Sequence, residues 1–162
     1  MMEDSTGLPL ISIIVVSYDG SELTERCVRS VLKNTRYPNY EVIVVKYGPK
    51  ATEGLKDIEG PRVKVVRIPK NVGYSEANNI GLRHARGSLL AFLNNDTIVT
   101  DGWLKALYEL LASSGPDVAA VQSKLRLADW PERIDAVGME FSPLGFLRPV
   151  GYMELDRGQY DR

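Results

Sequence analysis

The sequence predicts an α/β protein with three layers, helices covering both faces of a mostly parallel central sheet. Three observations predict it. Apolar, β-branched runs recur from Leu10 to Gln122. Helices of ten or so residues alternate with them, which argues for right-handed βαβ units. The chain's 162 residues, 44% hydrophobic and 25% charged, suit one globular domain with a substantial core.

Leu10 to Ser17 is the first, central strand, and Tyr18-Asp19-Gly20 turns the chain out of it. Ser21 is placed to cap a helix through about Asn34. Glu22 and Glu25 lie near its start, Arg29 and Lys33 near its end, and Leu23, Cys27, Val28, Val31 and Leu32 form its apolar stripe. Glu41 to Val45 is the second strand and Lys46 ends it. A short helix is expected over Thr52 to Ile58, broken by Gly60-Pro61, and Val63 to Ile68 is the third strand. Asn71-Val72-Gly73-Tyr74 is a loop, after which Ser75 caps a helix to about Ala85. Leu89 to Leu93 reads as a strand buried on both faces. Trp103 to Ser113 is a helix, Gly115-Pro116 stops it, and Val118 to Gln122 is a further strand. Beyond Leu127 prolines and glycines recur, and only Ile134 to Phe141 has strand character.

In a parallel sheet the carboxyl ends of the strands share one edge, where open α/β sheets bind their ligands. Ser17, Tyr18, Lys46, Asn71, Gly73 and the run Asn94-Asn95-Asp96-Thr97 should therefore converge. Asp96 is a hard anionic ligand suited to Mg²⁺ or Mn²⁺, and the neighbouring amides can orient water or a sugar. Each residue alone has the plainer reading of a polar turn.

Other chemistries are excluded. Neither a Gly-x-x-x-x-Gly-Lys-Ser/Thr loop nor a Gly-x-Gly-x-x-Gly turn follows the first strand. Cys27 is the only cysteine, which precludes an internal disulfide and fits a reducing compartment. No His/Cys cluster suits zinc, and His84, the sole histidine, reads as a solvated helix-end residue. A net charge of -1 gives no global footprint for nucleic acid. Met1 to Leu10 has acidic residues and no long apolar run, unlike a secretory signal or membrane span.

The strings Ile11-Ser12-Ile13-Ile14-Val15-Val16-Ser17-Tyr18, Tyr37-Pro38-Asn39-Tyr40-Glu41-Val42-Ile43-Val44-Val45, Asn71-Val72-Gly73-Tyr74 with Asn78-Asn79-Ile80-Gly81, and Ala85-Arg86-Gly87 appear in that order. Leu93-Asn94-Asn95-Asp96-Thr97 follows, then Gly102-Trp103-Leu104. Together, from about Leu10 to Leu125, they resemble family 2 glycosyltransferases of the GT-A fold, with the Asp-x-Asp metal motif in an Asn-x-Asp form.

The resemblance implies an inverting transferase that takes a nucleotide-diphosphate sugar, with Mn²⁺ or Mg²⁺, to the hydroxyl of a saccharide or lipid-linked glycan. Val16, Ser17 and Tyr18 would border the nucleobase, and Asn78 and Asn79 the nucleotide-sugar side of the cleft. Asn94 would face the ribose or sugar and Asp96 would bind the metal. Lys46, Asn71 and Asn95 complete the expected nucleotide-sugar set. Lys46 stands where the family usually has a base-contacting aspartate, and Asn94 leaves Asp96 as the motif's only carboxylate.

The expected division is an extension at 1–9, a nucleotide-sugar-binding core at 10–125, and at 126–162 the start of an acceptor-side region that looks truncated. Asp129, Glu132, Asp135 and Glu140 suit an acceptor-side loop or strand better than a catalytic base, which is expected past Arg162. The expected location is cytoplasmic, with the full-length protein at the inner membrane face for a lipid-linked acceptor. Oligomeric state is not legible. The alternative is a non-catalytic nucleotide-binding or assembly module on a degenerate site.

Overall fold

The β-branched run after Pro9 forms β1 (Ile11–Tyr18), one of two inner strands of a parallel sheet, in a computed structural model that describes residues 7–161. Most of the expected 1–9 extension lies outside the described residues. The chain divides into two compact units between Gly102 and Trp103.

In the first unit β1 is followed by α1 (Glu22–Asn34), β2 (Tyr40–Tyr47), β3 (Val63–Ile68), α2 (Tyr74–His84) and β4 (Leu89–Asn94). The four strands lie in the order β3-β2-β1-β4, all parallel. Alternation along the strands assigns each face its helix. Ile14 and Val16 of β1 and Ile43, Val45 and Tyr47 of β2 form one core cluster with Ala77 of α2. Gly81 makes that approach possible, because a Cβ there would lie 2.5 Å from Ile14 Cγ2. Ser17 and Lys46, on the opposite face, reach Thr24 of α1 and Ser21 just before it. Helices thus cover both faces, the three-layer arrangement expected.

A polar clasp ties the amino ends of β1 and β2 to the end of α2. Ser12 Oγ donates to Glu41 Oε1 at 2.8 Å and accepts from the Gly87 amide at 2.9 Å. The Arg86 amide donates to Glu41 Oε1 at 2.8 Å, and its guanidinium reaches Oε2 at 2.7 Å. Gly87 has no room for a side chain, since a Cβ would sit 2.5 Å from the Leu10 carbonyl oxygen.

Several local expectations change. β4 is not buried on both faces. It is an edge strand, and Leu90 and Phe92 are exposed because α2 packs over β1 and β2 on that side. The helix expected over Thr52 to Ile58 shrinks to a 3₁₀ turn, Lys56–Ile58, because Gly54 and Leu55 both take left-handed φ of 65°. Leu23 and Leu32 are exposed on α1, while Thr24 and Ser30 are buried beside Cys27, Val28 and Val31. α2 begins before Ser75: Asn71 Oδ1 accepts from the Gly73 amide at 3.0 Å and turns the chain into the helix at Tyr74.

The second unit contains α3 (Trp103–Ser113), the antiparallel pair β5 (Leu125–Arg126) and β6 (Ile134–Ala136), and the hairpin β7 (Met139–Phe141) and β8 (Leu147–Pro149). Val118 to Gln122 forms no strand, for want of a ladder partner among the described residues. Lys124 anchors the tail by pairing with Asp156 at 2.8 Å and Asp161 at 2.6 Å. Among the described residues no helix is long and apolar enough to cross a membrane.

Candidate functional site

Parallel register brings the ends of β1 and β4 side by side, with Val16 opposite Asn94. The same register sets Ser17 opposite Lys46 and Tyr18 opposite Tyr47. The Tyr18 and Tyr47 rings lie 5.2 Å apart, tilted by 56°, with Tyr18 exposed and Tyr47 buried.

A chain of hydrogen bonds joins the two strand ends. Asn95 Nδ2 donates to Thr24 Oγ1 at 3.1 Å, Thr24 Oγ1 donates to Ser17 Oγ at 2.7 Å, and Ser17 Oγ donates to the Gly20 carbonyl. Ser17 and Thr24 are fully buried, so these hydroxyls hold the turn after β4 against the turn after β1. Tyr74, at the start of α2, donates from Oη to Asn94 Oδ1 at 3.1 Å. That contact ties a third element to the same edge.

Asp96 projects from the turn after Asn94, which is closed by the Thr97 amide on the Asn94 carbonyl at 3.2 Å. Its carboxylate is exposed and makes no hydrogen bond or ion pair among the described residues. Beneath it lies Cys27, whose thiol is 3.5 Å from the Asn94 carbonyl oxygen. Burial, helped by the Asp96 charge, pushes that thiol's pKa up to about 12.

The remaining expected residues divide. Asn78 Nδ2 donates to the Tyr74 carbonyl at 3.0 Å and is half-buried, whereas Asn79 is exposed. Asn71 is taken up in the turn before α2. Lys46 is fully buried, and its ammonium donates to Ser21 Oγ at 2.8 Å and to the Glu53 carbonyl. Burial lowers its pKa, against the opposing pull of Glu53 and Asp19. Lys46 therefore braces the α1 side of the sheet rather than presenting its charge at the strand ends. Ser21 is the matching correction: its hydroxyl serves Lys46 and makes no cap hydrogen bond to α1.

Sequence reading did not single out Asp19, Thr24 or Tyr74. Asp19 has φ of 50°, and its Oδ1 accepts from the Lys50 amide at 2.7 Å. Gly48 beside it must lack a side chain, because a Cβ would fall 2.5 Å from that oxygen. A carboxylate thus does stand between the ends of β1 and β2, supplied by the first strand's turn. The signal was the Tyr18-Asp19-Gly20 turn facing Gly48.

A divalent cation fits these donors in one mode only. No group of three His, Cys, Asp or Glu residues gathers among the described residues, so the protein alone offers no metal cage. One accessible carboxylate fits a hard cation that takes its other ligands from substrate phosphates and water, as Mg²⁺ commonly does.

The four-stranded parallel sheet with helices on both faces gives this chain the fold of GT-A glycosyltransferases. The Glycosyl transferase family 2 model matches residues 12–155, and the chain belongs to that family. It is 37% identical over 123 residues to the O-antigen biosynthesis protein RfbC of Myxococcus xanthus, covering 74% of this chain and 10% of that protein. It is 30% identical over 113 residues to the glycosyltransferase GlyG of Streptococcus pneumoniae, covering 67% of this chain and 37% of that protein. Among solved structures it is similar to the Pyrobaculum calidifontis mannosyltransferase PcManGT in complex with GDP-Man and Mn²⁺. The TM-score there is 0.62 at 24% identity, over 75% of this chain and 37% of that one. The chain spans well under half the length of these curated relatives, 10% of RfbC and 37% of GlyG.

Proposed function

We propose that this chain is the nucleotide-sugar-binding part of an inverting glycosyltransferase that moves a sugar from a nucleotide-diphosphate donor to a hydroxyl of a saccharide or lipid-linked glycan. The observation that carries the reading is the Asn94-Asn95-Asp96 turn, fixed to β1 through Thr24, with the Asp96 carboxylate left exposed and uncommitted.

In this reading Tyr18 and the backbone at Val16 and Ser17 border the nucleobase. Asn78 and Asn79 line the sugar side, Asn94 orients the ribose or sugar, and Asp96 holds the cation at the diphosphate. When bound, Mn²⁺ or Mg²⁺ would supply Lewis-acid neutralisation of the charge that builds on the departing diphosphate. The residues' own task is positioning: the Asn95–Thr24–Ser17 chain fixes the turn, and the Tyr74 hydroxyl orients the Asn94 amide. A carboxylate elsewhere in the full-length protein would take the acceptor proton on the opposite face of the sugar. A cytoplasmic location, at the inner membrane face for a lipid-linked acceptor, completes the proposal.

The test is thermal denaturation with UDP, GDP, dTDP and CDP, with and without Mn²⁺. One of them with Mn²⁺ should raise Tm by about 5 °C at a hundredfold excess over Kd. Asp96→Ala should remove most of that shift. No shift with any of the four defeats the proposal, and an equal shift in Asp96→Ala favours a non-catalytic binding module.

A further inference from the structure

The amino ends of the strands, opposite the candidate nucleotide site, carry a recess that the proposed function does not use. It measures about 320 Å³ and is lined by Arg62, Lys64, His84, Arg86 and Glu41. The volume lies at the small end of ligand pockets, which run from about 300 to 1,000 Å³.

Its charge is one-sided. Glu41 is the sole acid in the lining, and both its oxygens are already engaged by Arg86, with Ser12 on one of them. Arg62 and Lys64 have no acidic partner among the described residues, whereas Arg36, Arg67, Arg83, Lys124 and Arg148 all do. Arg62 is exposed, and its guanidinium carbon lies 4.8 Å from the centroid of the Tyr40 ring, a cation–π contact that holds it at the recess. Lys64 Nζ lies 3.0 Å from His84 Nδ1. Arg86 keeps most of its side chain exposed while it holds Glu41.

We propose that this recess is a binding site for a phosphate-class dianion, a phosphomonoester or a pyrophosphate group, gripped by Arg62 and Lys64 with help from Arg86 and His84. Planar guanidinium forks match phosphate oxygens in pairs, and the ammonium adds a point charge. The phosphate can belong to a free small molecule or to a lipid headgroup, since the chemistry that recognises it is the same. The site is separate from the strand edge that bears Asp96 and needs no metal.

The test is an NMR titration of the ¹⁵N-labelled chain in EDTA with inorganic phosphate, then pyrophosphate, against sodium chloride of matched ionic strength. A parallel arm measures co-sedimentation with phosphatidylcholine vesicles with and without phosphatidic acid. Saturable shifts at Arg62, Lys64 and His84 are expected. The double variant Arg62→Gln/Lys64→Gln, its fold checked by the dispersion of the same spectra, should weaken binding by about tenfold or more. Lys64→Gln alone should give a smaller loss. Vesicle binding that pyrophosphate displaces and the double variant loses identifies a headgroup as the source, and saturation by the soluble ions alone identifies a free ligand. Shifts reproduced by chloride, or binding that the double variant retains in both arms, overturn the site.

Discussion

The Asn95 side-chain amide donates to Thr24 Oγ1 at 3.1 Å, across 71 residues of sequence. It fastens the turn that carries Asp96 to the first turn of α1, and through Ser17 to β1. Thr24→Val keeps the shape and removes the hydroxyl. It should destabilise the fold by about 1–2 kcal/mol in urea denaturation. It should also reduce the Mn²⁺-dependent nucleotide shift, although Thr24 itself is buried away from any ligand. An unchanged shift would mean that the turn holds its geometry without this bond.

Glu41 gives a pH signature. Burial raises its pKa, but hydrogen bonds from Arg86 and Ser12 outweigh burial, and the net shift is downward. A carboxylate whose pKa falls on folding contributes stability above its unfolded value, near 4.5. That contribution is lost as pH falls through the lower folded value. Wild type should therefore lose its advantage over Glu41→Gln as pH drops below about 4.5, read from paired urea titrations. At neutral pH Glu41→Gln should cost about 1–3 kcal/mol.

Lys46 separates bracing from binding. Lys46→Ala removes a fully buried stem and the donor to Ser21 and Glu53, and should cost about 2–4 kcal/mol. Lys46→Met preserves the volume and should cost less. Nucleoside diphosphate affinity in Lys46→Met, measured by calorimetry, should stay near that of wild type. A large loss would assign the ammonium to the ligand.

Cys27 should be inert in the folded protein. With its pKa near 12 and the side chain fully buried, it holds almost no thiolate at pH 8. A disulfide reagent should label it only as urea unfolds the chain, so that labelling follows the unfolding curve. Fast labelling of native protein would show that α1 opens beneath the Asp96 turn.

The main features of the sheet were legible because each parallel strand is a compact apolar run with a turn signal behind it. Val63–Ile68 matched the expected bounds in full. The chemistry of individual polar residues was less legible. Lys46 at a strand end reads as a ligand contact, since sequence period gives its face but not the cover that α1 and Ser21 provide. Thr24 and Ser30 lie outside the apolar stripe expected of α1 yet are buried, because their hydroxyls bond Ser17 of β1, the Cys27 carbonyl and the Val99 amide. Val118 to Gln122 had strand composition, but a strand also needs a neighbour, and composition does not supply one.

The clasp of Ser12, Glu41, Arg86 and Gly87 has a kinetic consequence. Its bonds span up to 75 residues, and they close only after β1, β2 and α2 have come together. If these hydrogen bonds align only once the elements have docked, the clasp belongs to the native side of the folding barrier. Loosening it should leave the refolding rate nearly unchanged and speed unfolding. The small hydroxyl of Ser12 would then act as a latch on the lifetime of the folded chain.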